Sequence, residues 1–129
     1  NGVVCVPSVE RSGGLVMVWK RNEITVSTMK SDQQHIHMIC SSIDGSRFFL
    51  TAIYTISLRR FKHELWCELQ NLASSIRIPW AVIGDFNDII SAEALTGGAL
   101  ANFASMIMFR ERIQDCQLTD LGYNGPKFT

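Results

Sequence analysis

The sequence lacks an excess of charge. Its twelve basic and twelve acidic residues balance across 129 positions. With no net charge there is no bulk electrostatic case for nucleic-acid binding, so any DNA contact must come from a local patch. No apolar run approaches the roughly 18 residues of a membrane span, which excludes a transmembrane helix. Repeats and low-complexity tracts are also missing, which sets aside solenoids and disordered tails. The start at Asn1 has no initiator Met and none of the charged and apolar regions of a signal peptide. Cysteine is sparse: Cys5, Cys40, Cys67 and Cys116 form no CxxC pair and no metal-type spacing. Buried free thiols in a reducing compartment are therefore expected, and an intracellular location, nuclear or cytoplasmic. What is present is 47% hydrophobic residues in a length that suits one domain with a real core.

Hydrophobic periodicity sets out the elements. Asn1 to Gly14, with Pro7, Ser8, Ser12, Gly13 and Gly14, reads mostly as loop. Leu15–Trp19 is a continuous apolar run and predicts a buried strand. Ile24, Val26 and Thr28 alternate with Thr25, Ser27 and Met29, the period of a half-buried strand. Ile36, Met38 and Cys40 share one face of the next strand, with His35 and His37 on the other. Asp44-Gly45 is a hairpin signal, followed by the strand-like Arg47–Thr55. Leu15 to Thr55 thus reads as a four-stranded, largely antiparallel meander.

The period then changes. Phe61, Leu65, Leu69, Leu72 and Ile76 recur at helical steps, with Ser57 in the N-cap region and Pro79 beyond the stop. A loop is expected over Ser91 to Asn102. A second helix follows from about Phe103 to Asp115, with Met106, Phe109, Ile113 and Cys116 on one face, and a turn over Gly122 to Pro126. The sum is an α/β (α+β) layered structure.

The chemistry-bearing stretch is PWAVIGDFNDII, Pro79 to Ile90. Trp80–Ile83 reads as a buried strand, and Asp85, Asn87 and Asp88 arrive together where it ends. Sites in α/β folds gather beyond the carboxyl ends of strands. Asp85 suits a base or a hard-metal ligand, and the Asn87 amide suits a phosphate oxygen. Gly84 permits a backbone conformation or close approach that a side chain would block. The plain alternative is a turn, which Asp and Asn commonly form.

The string GDFN after an apolar strand resembles the signature of the endonuclease/exonuclease/phosphatase superfamily, the deoxyribonuclease I-like enzymes. The chain is most similar to the endonuclease-like domain of non-long-terminal-repeat retrotransposons. SGGLVMVWK (Ser12 to Lys20), IYTISLRRFKHELW (Ile53 to Trp66), PWAVIGDFNDII, Gly97–Gly98 and LTDLGYNGPKFT (Leu118 to Thr129) occur in that family's order. The resemblance implies a partial four-layer α/β sandwich, with the first sheet and the beginning of a second. It implies hydrolysis of phosphodiesters with Mg2+, and DNA as the partner of the full enzyme, within a polyprotein that includes reverse transcriptase. Asp85 then matches the aspartate that orients or activates the attacking water. Asn87 matches the phosphate-contacting asparagine, and Tyr54 the active-site tyrosine. Thr55-Ile56-Ser57 departs from the small residue and Pro that often follow that tyrosine.

Other parts of the family's site have no counterpart. Its metal-binding glutamate lies before the point matching Asn1, and Glu10 sits in the wrong context to replace it. Its Ser-Asp-His motif lies beyond the point matching Thr129. Both ends therefore look like cuts through a larger unit, a single incomplete domain expected to be inactive alone. Arg59, Arg60 and Lys62 form a basic cluster; Arg59 and Arg60 are candidates for phosphate contact, against the plainer reading of a solvated helix face. His35 and His37 could share a metal, but two ligands are few and surface or partly buried strand histidines are more common. Glu93 matches a glutamate before the family's Gly-Gly pair and carries no assigned chemistry. The competing expectations are a non-catalytic remnant serving at most as a binding module, and an unrelated α/β domain in which GDFN is a turn.

Overall fold

The computed structural model describes residues 1–10, 13–87, 100–122 and 124–125. It divides into two compact units, Asn1–Asp88 and Ile89–Thr129. The first holds β1 (Gly2–Val6), β2 (Leu15–Trp19), β3 (Ile24–Ser31), β4 (His35–Ser42), β5 (Arg47–Tyr54), α1 (Arg59–Ser75) and β6 (Trp80–Asp85); the second holds α2 (Leu100–Asp115). The structure is mixed α+β, with an antiparallel sheet β1-β2 and a mixed sheet β3-β4-β5-β6.

Two sequence expectations are corrected here. The N-terminal stretch is not mostly loop, because Gly2–Val6 forms a strand that pairs antiparallel with Leu15–Trp19. The meander consequently has three strands, β3 to β5; β2 leaves it for β1, and β6 completes the larger sheet by pairing parallel to β5. The turn between β4 and β5 forms where Asp44-Gly45 indicates. Gly45 has φ +86, and Asp44 Oδ1 accepts from Ser46 N and Ser46 Oγ. Those bonds hold the Asp44 carboxyl down at about 2.

Side-chain alternation in β4 supplies two buried faces. Ile36, Met38 and Cys40 join Ala52 in a core that packs against Val4, Val6, Leu15 and Met17 of the small sheet. His35 and His37 point the other way, yet they too are buried. That face also carries Thr51, Ile53 and Thr55 and is covered by α1, whose Leu65, Trp66 and Leu69 are buried. A register irregularity between Thr28 and Lys30 places Lys30 opposite His37, where its ammonium pairs with Glu68 of α1. Gln34 Nε2 also donates to the Phe61 carbonyl. The unit is thus three layers: small sheet, large sheet, helix.

A polar thread runs through the helix-facing side. Trp80 Nε1 can only donate, and it donates to Thr51 Oγ1 at 2.8 Å. His37 Nδ1 lies 2.8 Å from the same hydroxyl. All three groups are satisfied when the Thr51 hydroxyl donates its hydrogen bond to Nδ1, which leaves the His37 proton on Nε2. His37 also stacks on Phe49. These two histidines are core residues. Among the described residues no group of three or more His, Cys, Asp or Glu could hold a metal ion.

Further differences are local. Leu58, not Ser57, is the N-cap of α1, and it makes no side-chain cap bond. Of the cysteines, all free, Cys40 and Cys116 are buried but Cys5 and Cys67 are exposed. The runs Leu15–Trp19 and Trp80–Ile83 are half-buried rather than buried, with Val16, Val18 and Ile83 exposed. In the second unit α2 begins at Leu100, three residues before the expected Phe103; Met106 and Phe109 on it and Cys116 just past its end are buried. Gly122 and Gly125 take positive φ, and the expected turn over Gly122 to Pro126 includes residues outside the described ones. Asp88, Glu93 and Gly97–Gly98 lie outside the described residues, as do Ser12 and Pro126. No described helix is long and apolar enough to cross a membrane.

Candidate functional site

β5 and β6 run parallel, so their carboxyl ends fall together, and Tyr54 and Asp85 are register partners there. Partners in a ladder share a face of the sheet, so both side chains leave on the side of the small sheet. The ladder continues one step further, where Thr55 N donates to the Asp85 carbonyl at 2.9 Å. The residue that allows this pairing is Gly84. Its φ is +145, and a Cβ there would overlap the carbonyl oxygen of Ile53, its partner. The close approach anticipated at Gly84 is therefore a backbone-on-backbone contact.

The next residues fold back. Asp85 Oδ1 accepts from Asn87 N at 2.8 Å, an Asx turn. Asn87 takes φ +48, a left-handed conformation that Asn tolerates better than most residues. Its Nδ2 donates to the Thr55 carbonyl. One of the two amide hydrogens is thereby engaged. GDFN is thus a turn, and the turn itself draws Asp85 and Asn87 beside Tyr54. The Asp85 and Asn87 residues are exposed and Tyr54 is half-buried.

Three neighbours take places at these strand ends that the sequence did not assign to them. Gly13 sits against Tyr54: a Cβ at Gly13 would lie 3.2 Å from Tyr54 Cζ and 3.5 Å from its hydroxyl. Its absence of a side chain lets the β1–β2 connection reach the tyrosine. Lys62 donates from Nζ to the Asn87 carbonyl at 2.7 Å, anchoring the turn to the first turns of α1. Gln34 receives Tyr54 N on its backbone carbonyl and Ile56 N on Oε1, fixing the chain where β5 ends. The SGG string and the basic cluster carried signals for the first two; nothing in the pattern signalled Gln34.

The basic cluster divides. Lys62 belongs to the turn. Arg59 and Arg60 are exposed at the start of α1, where the acidic side chains of a first turn are missing, and the Arg60 guanidinium lies 4.5 Å over the Phe61 ring. Among the described residues Asp85 is the carboxylate at these strand ends, and one of its oxygens already serves the turn. The described residues do not by themselves form a site for the magnesium ion that the resemblance implies. Compared with protein-family models, curated proteins and solved structures, the chain matches none.

Proposed function

We propose that this chain is part of a metal-dependent phosphodiesterase of the deoxyribonuclease I-like class, of the kind that nicks DNA in non-long-terminal-repeat retrotransposons. The observation that carries the reading is the pairing of Tyr54 with Asp85 at the carboxyl ends of adjacent parallel strands, with Asn87 folded against both strand ends. In this reading the second oxygen of Asp85 orients the attacking water. The remaining N–H of Asn87 and the hydroxyl of Tyr54 face the phosphate, and Arg59 and Arg60 meet the neighbouring backbone. A magnesium ion belongs to the proposed reaction and takes further ligands from outside the described residues.

The same constellation supports a second reading, a non-catalytic binding module. It is favoured by the engagement of Asp85 Oδ1 and Asn87 Nδ2 within the turn. Activity separates the two. Losing one element that stabilises developing charge costs about a hundredfold or more. The purified chain is therefore expected to nick supercoiled plasmid with magnesium at no more than background rate. It should nevertheless bind duplex DNA in a salt-sensitive way that weakens in Arg59→Ala and Arg60→Ala. Magnesium-dependent nicking that vanishes in Asp85→Ala would overturn the inactive reading. Duplex binding indifferent to both arginines would count against the nuclease-like reading as a whole.

A further inference from the structure

His63 and Cys67 lie one helical turn apart on the exposed face of α1, and neither has a role in the proposed function. The spacing i, i+4 brings side chains together on a helix surface. Here Cys67 Sγ and His63 Nε2 are 3.5 Å apart, so the two donor atoms already converge.

That separation has a chemical meaning. Zinc binds thiolate sulfur at about 2.3 Å and imidazole nitrogen at about 2.0–2.1 Å, in tetrahedral geometry. Those bonds at the tetrahedral angle place S and N about 3.5 Å apart, the distance that the helix holds. The atom turned toward the thiol is Nε2, a nitrogen with a lone pair when the ring proton sits on Nδ1. On metal binding the thiol loses its proton to solvent, the S–H···N contact is exchanged for S–metal and N–metal bonds, and no electrons change hands.

We propose that His63 and Cys67 form a bidentate site for a borderline-soft divalent cation of the zinc type, with its outer positions filled by water. Both side chains are exposed, so an ion enters without any rearrangement of the core. The two residues come from consecutive turns of a 17-residue helix, so the chelate ring also ties those turns together. The exposed Cys5 lies on β1 with no histidine partner among the described contacts, and it serves as the internal control.

The test is titration of the reduced chain with Zn2+, and with Co2+ as a spectroscopic probe. The expected result is a thiolate-to-cobalt absorption band and a rise in thermal midpoint with Zn2+. Both should persist in Cys5→Ser. Affinity should fall about tenfold or more in His63→Gln and in Cys67→Ser, at least the loss that removing an outer-shell partner causes. Either surface substitution should leave the metal-free circular dichroism spectrum unchanged, which separates ligand loss from misfolding. Failure of the cobalt band to form at millimolar metal, or a band that survives in either variant, would overturn the assignment.

Discussion

At the scale of single residues, Gly84 and Thr51 show how much one atom decides. A methyl group at Gly84 meets backbone rather than a movable side chain, and φ +145 is foreign to an L side chain. Gly84→Ala should therefore cost about 1–3 kcal/mol, the range for enforced backbone strain, or force β6 away from β5. Urea unfolding measures the loss, and a midpoint within error of the parent would contradict it. Thr51→Val removes the hydroxyl between Trp80 Nε1 and His37 Nδ1 while keeping the shape. A buried donor or acceptor left alone costs about 1–3 kcal/mol, and the same unfolding experiment reads it.

His37 also gives the molecule a pH dependence. Burial first, then the neighbouring His35 and Lys30, hold its imidazole below the ordinary 6.5, while Glu68 opposes them. The folded protein thus keeps His37 neutral where the unfolded chain takes up a proton. Stability is whole above about 6.5 and falls as pH drops below it, by at most about 1.4 kcal/mol per pH unit for one proton. Urea midpoints between pH 7.5 and 5 should decline, and the decline should flatten in His37→Gln. A parallel slope in both proteins would refute the role of this ring. The residue types were legible in the sequence, and so was Gly84 as a point of close approach. The burial of both histidines was not, because period 2 tells which face a side chain takes but not whether a helix covers that face.

At the scale of elements, the periodic signals were the legible ones. The step from period 2 to period 3.6 near Ser57 marks α1, which runs Arg59–Ser75 where Phe61 to Ile76 was expected. Its core contact is Leu69, fully buried beneath the sheet-facing side. Leu69→Ala should cost about 2–5 kcal/mol. A loss under 1 kcal/mol would mean that the helix is not held by this face. Pairing was less legible than existence. Gly2–Val6 hides among Pro, Ser and Gly in a segment whose composition favours loop, and its partner Leu15–Trp19 also fits a meander. Which strand adds to which edge depends on long-range contacts that no local pattern contains.

At the scale of the whole molecule, unbroken apolar runs misled in one direction. LVMVW reads as a strand buried on both sides, yet Val16 and Val18, like Val3 on the neighbouring β1, are each more than 60% exposed on the outer side of the small sheet. Ile83 is similarly exposed on β6, an edge strand among the described residues. Such surface favours self-association. Val16→Lys should change stability by no more than about 0.5 kcal/mol, as surface substitutions do, while lowering light scattering at high concentration. Unchanged scattering would place the association elsewhere.

The strand-end constellation shows the same division between the legible and the hidden. Asp85 and Asn87 were readable because polar residues followed an apolar run. Tyr54 was proposed as their companion through resemblance, and the parallel pairing of β5 with β6 is what sets it beside Asp85. Lys62 and Gly13, which anchor the turn and flank the tyrosine, come from segments far apart in the chain. The most direct measurement is amide-shift mapping by NMR, with a short DNA duplex titrated into the labelled chain at low salt. Proposed as a phosphate-facing site, the strand ends should respond first: Tyr54, Thr55, Asp85 and Asn87, with Arg59 and Arg60, and the shifts should shrink in Asn87→Ala. Shifts confined to other surfaces, or none at these residues at saturating duplex, would contradict a nuclease-like origin for this site.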